Sequence, residues 1–319
     1  MRAKARMGEF LIQYMMAKGE DIMKRRDLRG RAERRIAALF LLPSLIGIFC
    51  LNLIPTCMSL SVSLTDWVYT NGIGNWNFVG LANFKALFSD SWFIKSLTNT
   101  LLLTIVVVPV GIFLSLVIAA LIDTYCSDKV AGVVRVAMYI PNICNIVAVC
   151  AIWMALYSSY GPFTNLVRSF GFDNPPRWLA DFKWALPAIM LVTVWAKLGY
   201  NVFIYGAAMA ALPRDVYESA ELDGANGRQQ FFNLTIPLLS NTTFFLTVTG
   251  IIISFQTFGY VNVMTKGGPV DSTYVLVFYI YKLAFDYMQT GYASAVAVVL
   301  FLILLVITII QYTHNNKEN

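Results

Sequence analysis

Charge is scarce in this chain. Asp, Glu, Lys and Arg make up 13% of its 319 residues, where a soluble globular domain carries about a quarter. That shortage excludes an ordinary soluble fold. Histidine is nearly absent too: His314 stands alone near the C-terminus, with no Ser and Asp arranged about it for nucleophilic catalysis. The five cysteines (Cys50, Cys57, Cys126, Cys144 and Cys150) form no Cys-x-x-Cys and no Cys/His cluster. We therefore assign no metal site and no disulfide framework. No Gly-x-x-x-x-Gly-Lys-Ser/Thr phosphate loop is present, and Gly267-Gly268-Pro269 has no Lys after it. The chain is thus not an ATPase by itself.

Carboxylates are missing from the apolar runs as well. Asp66, Asp90, Asp123, Asp128, Asp173, Asp181, Asp271 and Asp286 all fall in loops or at edges. Ion-coupled carriers place acids or His along their spans, so a secondary transporter or channel working without ATP is the disfavoured alternative. Glu218 and Glu221 come nearest to an acid–base pair, but they lie in a polar loop. No catalytic residue is assigned, and the chain reads as a non-enzyme.

What the chain has instead is apolar length. Apolar residues reach 58% and the mean hydropathy is +0.63. A membrane-spanning helix needs about 20 such residues, and six runs qualify: Ile36–Leu60, Ser96–Leu121, Val136–Leu156, Trp184–Ala207, Leu239–Val263 and Tyr292–Tyr312. The expectation is an all-α membrane protein of six transmembrane helices. Residues 1–35 hold eleven Lys/Arg against five acids, a difference that equals the net charge of +6. Positive charge stays cytoplasmic, which puts the N-terminus inside. Six crossings return the C-terminal tail, 313–319, to the same side. The basic tail is read as a topology determinant rather than a nucleic-acid arm or a cleavable signal. No linker divides 36–312, so one membrane domain is expected between two cytoplasmic tails.

One polar stretch interrupts this pattern, at 212–237. Pro213 fits the first turn of a helix, Asp215 and Glu218 favour its dipole, and residues 213–222 make a short helix. Gly224 accepts the positive φ that ends it. A second short helix is expected from about Asn226, broken before Pro237. A helix–Gly–helix elbow of this kind fits a groove on another protein.

The residues themselves carry a resemblance. Glu218-Ser219-Ala220, three residues, Gly224, nine residues, then Leu234-x-Ile236-Pro237 resembles the cytoplasmic loop of ATP-binding-cassette importer permeases. Ser219 replaces the usual Ala, and the Ile and Leu are exchanged. Further matches follow in order: Phe78-Val79-Gly80-Leu81-Ala82-Asn83-Phe84 leading to Leu97-Thr98-Asn99-Thr100, and Arg135 with Tyr139-Ile140-Pro141. Gln256-Thr257-Phe258-Gly259-Tyr260 and Gly291-Tyr292-Ala293-Ser294-Ala295 continue the series. Together they resemble the carbohydrate-uptake branch, and within it the first of two paired permease subunits.

The resemblance implies a type I importer bundle with cytoplasmic coupling helices in the plasma (inner) membrane. It implies contact with an ATPase dimer through Glu218, Ser219, Ala220, Asp223, Gly224 and Ala225, with Phe231, Phe232 and Pro237 anchoring the loop beneath the bilayer. A second homologous permease and an extracellular sugar-binding protein are the other expected partners, besides membrane lipid. ATP and Mg would be bound by the ATPase, leaving this chain with no cofactor of its own.

Within the spans, Lys197 needs the bundle interior or water, because a mid-bilayer charge costs on the order of 3 kcal/mol. Its own span holds no acid, so a partner from another helix or chain is expected. Tyr200, Asn201, Gln256, Tyr260 and Asn262, with Asn142 and Asn145 beside them, offer the hydrogen bonds and aromatic faces that a sugar pathway uses. The same groups equally serve as hydrogen bonds between helices.

Overall fold

The computed structural model describes residues 36–72, 74–171 and 174–318, with side chains to residue 313. The basic segment 1–35 lies outside the described residues. The chain divides into two units, Met1–Ser61 and Val62–Asn319. Helix α1 (Ile36–Val62) fills the described part of the first. A π-turn at Phe49–Leu53 precedes Pro55 in it.

The second unit is helical throughout. In chain order it contains α2 (Ala82–Leu87), α3 (Ser91–Tyr125), α4 (Asp128–Ile143), α5 (Ile146–Leu156), α6 (Pro162–Ser169) and α7 (Ala185–Ala210). Then come α8 (Arg214–Leu222), α9 (Gly227–Gln230), α10 (Ser240–Phe255), α11 (Gly259–Met264), α12 (Leu276–Tyr281) and α13 (Thr290–Glu318). Among the described residues the sole β feature is an isolated bridge between Thr65 and Phe78.

Five segments are long and apolar enough to cross a membrane: Ile36–Val62, Ser91–Tyr125, Ala185–Ala210, Ser240–Met264 and Thr290–Thr313. They match five expected runs to within a few residues. The expected third span, Val136–Leu156, is not one straight helix. It is the bent pair α4 and α5, which meet at 98°. Two local features make the bend. Pro141 lacks the N–H that would continue the ladder, and the Asn145 side chain accepts from the Val147 N–H at 2.8 Å, starting a new helix.

Helix α3 is the axis of the second unit, packed along α7, α10 and α12. Asp90 caps its start, accepting from the Trp92 N–H at 2.9 Å. The same carboxylate accepts from the hydroxyls of Tyr279 and Tyr292, at 2.5 and 2.8 Å. More than two turns further in, the Asn99 amide donates to the Tyr274 carbonyl (2.9 Å) and Thr100 Oγ1 accepts from the Leu276 N–H (2.8 Å). The Phe78–Phe84 loop is fastened by Asn83, whose amide donates to the Ser63 and Thr65 carbonyls at 2.9 and 2.8 Å. Beyond it, the Asp66 carboxyl is held below the usual carboxylate range by the backbone and side-chain N–H groups of Asn77.

Close helix contact comes from small residues. Helices α4 and α7 touch at Gly199, where an added Cβ would lie 1.8 Å from the Met138 carbonyl oxygen. Ala293 and Ala295 are buried in α13. Gly199→Ala must push backbone from backbone and is expected to cost about 1–3 kcal/mol. Gly132→Ala, on α4 with nothing within 4 Å of the added carbon, should be neutral or slightly stabilising. Thermal unfolding of the purified chain in mild detergent, followed by tryptophan fluorescence, checks the pair; equal melting temperatures would contradict the packing argument.

Candidate functional site

Two features stand out, an elbow at one end of the bundle and a cavity within it. The elbow is the polar stretch at 212–237. Helix α8 begins at Arg214, with Pro213 just before it. It ends in a complete Schellman arrangement: the Gly224 N–H donates to the Glu221 carbonyl at 3.0 Å and the Ala225 N–H to the Ala220 carbonyl at 2.9 Å. Gly224 has φ +82, as a left-handed turn requires. Asn226 and Gln229 then form a reciprocal capping box at the start of α9, with bonds of 2.8 and 2.9 Å.

The expected break before Pro237 does not occur there. The chain stays helical through a π-turn, Phe231–Thr235, and a last turn Ile236–Leu238, bending at Leu239. Pro237, which lacks the N–H to continue the ladder, comes directly after the π-turn. Tyr217 and Thr235 hydroxyls, 2.9 Å apart, tie the two arms of the elbow together.

Glu218, Ser219, Asp223 and Gly224 are exposed, and Ala220 and Ala225 are half-buried. Leu222 is 91% exposed at the tip. Phe231 and Phe232 stack edge to face at 5.3 Å, with the Arg228 guanidinium 6.0 Å from the Phe232 ring. Behind the elbow, about 840 Å³ of space separates it from the ends of α3 and α4. Arg135, Arg214 and Arg228 line that space with Asp123 and Asp128. Arg135 and Asp123 approach to 3.6 Å.

The second feature is a cavity of about 480 Å³ lined by α3, α4, α7 and α10–α11. It lies where three apolar clusters meet: Val107 belongs to one, Leu246 to another, and Ile146 packs on the third. Two interruptions in helical backbone open onto it. One is the α4–α5 bend, represented by Asn142 and Ile146; the other is Gln256–Phe258, between α10 and α11. Irregular backbone at membrane depth persists only where protein covers it or water reaches it.

Five of the six expected pathway residues line this cavity: Lys197, Tyr200, Asn201, Gln256 and Tyr260. Asn142 joins them. Asn262 is half-buried outside the lining, and Asn145 is spent on its cap. Thr193, Lys197 and Asn201 share one face of α7 because they are four residues apart.

Among the described residues these groups form no hydrogen bonds between helices. Interhelical bonds come from other residues, Thr104 to Ser254 at 3.0 Å and Tyr205 to Thr243 at 3.0 Å. Lining hydroxyls such as Thr193 and Thr249 bond back to their own helix. The side chains of Asn142, Lys197, Tyr200, Asn201, Gln256 and Tyr260 make no hydrogen bond within the described residues. The expected acidic partner of Lys197 is likewise not found among them.

A protein-family description, "binding-protein-dependent transport system inner membrane component", matches residues 15–318. The chain belongs to this family. Among curated relatives of this inner membrane component, the lactose transport system permease protein LacF of Rhizobium radiobacter is 32% identical over 278 residues, covering 86% of this chain and 92% of its own. The sn-glycerol-3-phosphate transport system permease protein UgpA of Yersinia enterocolitica is 31% identical over 239 residues, covering 74% and 79%. In the fold comparison, a bacterial ABC transporter involved in the import of the acidic polysaccharide alginate aligns with TM-score 0.78 over 92% of this chain and 99% of that one, at 22% identity. At that identity the likeness establishes the type I importer permease fold.

The scaffold residues Asp90, Asn99 and Thr100 went unread as such in the sequence, though Asp90 immediately before a long apolar helix is a cap signal. Removal of the elbow's own cap gives a local test. Asn226→Ala is expected to loosen α9 by about 1 kcal/mol, accelerating amide exchange at Gln229 roughly fivefold while α8 is unchanged. Hydrogen exchange read by mass spectrometry checks this, and unaltered protection of 227–231 would contradict the cap's role.

Proposed function

We propose that this chain is one of the two permease subunits of an ATP-driven importer and that it passes a sugar or oligosaccharide into the cytoplasm. The observation that carries the reading is the unspent polar set in the cavity. Amide, phenol and ammonium groups stand free beside aromatic faces, in a space bounded by interrupted helices. Sugars present both hydroxyl groups and apolar C–H faces, and such a lining suits both. Relatives named for lactose and sn-glycerol-3-phosphate transport support the substrate class.

Coupling is assigned to the elbow. Its caps make it a rigid body, and the bare Leu222 at its tip offers an apolar contact framed by Glu218 and Asp223. Seated in a cleft of a separate ATPase, it would turn closure of the nucleotide-binding dimer into movement of α7 and α10, which flank the cavity. Glu218, Ser219, Ala220, Asp223, Gly224 and Ala225 form the docking end, and Phe231, Phe232 and Pro237 the base.

The excess of Lys/Arg in residues 1–35 places the N-terminus, and with six crossings the C-terminus and the elbow, in the cytoplasm. A second homologous permease completes the pathway, and an extracellular sugar-binding protein delivers cargo to the opposite end. ATP and Mg belong to the ATPase; the permease performs no covalent chemistry. A proton-coupled carrier would need a carboxylate facing the cavity, and among the described residues none lines it.

Gly224→Asp tests the coupling. An added Cβ meets nothing within 4 Å in this chain, so the variant should fold and insert. The strained turn and new charge should lower sugar-stimulated ATP hydrolysis by roughly tenfold or more in the reconstituted transporter, the scale of a central interface residue. Stimulated hydrolysis equal to wild type would show that the elbow does not transmit the stroke.

A further inference from the structure

Among the described residues Lys197 is the one charged group lining the cavity. It lies midway along α7, twelve residues from Ala185 and thirteen from Ala210 (197 − 185 and 210 − 197). At about 1.5 Å per residue, each helix end is some 18–20 Å away. A lysine stem cannot snorkel that far. The ammonium therefore stays at depth, where an uncompensated charge is expensive.

Nothing on the neighbouring elements offsets it. The residues that line the cavity with it are Val107, Val108, Gly111, Ile112 and Asn142 from α3 and α4, and Gln256 and Tyr260 among those from α10 and α11. All are neutral. The ion pairs seen among the described residues, Arg135 with Asp123 and Lys282 with Asp286, lie elsewhere. Water would suffice to hydrate the ammonium, as would a glutamine in its place to bind a neutral sugar. The sequence instead keeps a lysine midway along the span, among groups that offer neutral hydrogen bonds.

We propose that the cargo carries an anionic group, a carboxylate or a phosphate on a saccharide frame, and that Lys197 is the counter-charge that selects it. This inference rests on the reading of the cavity as the cargo site. An ammonium acts as a point charge and takes either group without demanding the planar, bidentate geometry of guanidinium. Asn142, Asn201 and Gln256 would meet the hydroxyls, and the Tyr200 and Tyr260 rings the sugar faces. A neutral sugar would strand the charge on entry, giving discrimination by an unpaired group rather than by size.

The test uses the assembled transporter, with partner permease, ATPase and binding protein, in proteoliposomes. ATP-driven uptake is measured for three radiolabelled probes: lactose, lactose 6-phosphate and digalacturonate. The proposal expects uptake of an anionic probe and little or none of lactose; which anion moves tells phosphate from carboxylate. Lys197→Met should raise KM for that probe by about tenfold or more, the scale of a lost charge-assisted contact, while Lys197→Arg stays within about threefold of wild type. Rescue by arginine separates charge recognition from a folding defect. Wild-type uptake of lactose that survives Lys197→Met would overturn the proposal and leave the importer reading standing, as would anionic uptake with an unchanged KM. No ATP-driven uptake of any probe would overturn this inference, and the importer reading falls with it only if the binding protein also fails to stimulate ATP hydrolysis by the complex.

Discussion

A backbone N–H or C=O surrounded by hydrocarbon has no water to bond with, and each one left unpaired costs several kcal/mol. That constraint makes the chain helical wherever it meets lipid. It also makes every interruption of a helix at depth informative. Two interruptions occur in the second unit, at the α4–α5 bend and between α10 and α11, and both open onto the same cavity. The bundle tolerates irregular backbone there because protein and the cavity surround it. The site and the breaks are therefore one feature.

The polar residues of the bundle divide into two kinds. Asn99, Thr100 and Thr104 on α3 are buried and bonded across to the 271–276 segment and α10, while the buried Ser96 hydroxyl donates back to the Phe93 carbonyl. Asp90 does the same at the helix start, gathering two tyrosine hydroxyls and its own cap. The lining of the cavity is the converse, with amide and phenol groups that make no side-chain hydrogen bond among the described residues. A scaffold with satisfied polar groups can hold an unsatisfied site open. The elbow at 212–237 repeats the scheme: caps and the Tyr217–Thr235 contact stiffen it, while Leu222 is left uncovered.

Much of this was legible in the sequence, for reasons that differ by element. Five spans were readable because length and hydropathy are all that membrane insertion requires. The elbow was readable because Gly224 and Asn226 act locally, each through its own backbone. The bend in the third span was not. Hydropathy is blind to direction, and Val136–Leu156 is apolar across a 98° turn; only Pro141 and Asn145 hinted at it. The role of Asp90 was hidden by distance, since its tyrosine partners lie 189 and 202 residues away. Lys197, Tyr200, Asn201, Gln256 and Tyr260 were named from polarity alone, but Asn262 fell off the cavity because α11 turns it away from the face that Tyr260 shares.

The central claim is that this chain is half of a pathway and depends on an engine it lacks. The most direct measurement is affinity purification of the tagged chain from its native membrane in mild detergent, followed by intact-complex mass spectrometry. The account predicts one copy of this chain with one different permease and an ATPase dimer in fixed proportion. Recovery of the chain alone or as a homo-oligomer, from membranes where those subunits are present, would contradict it.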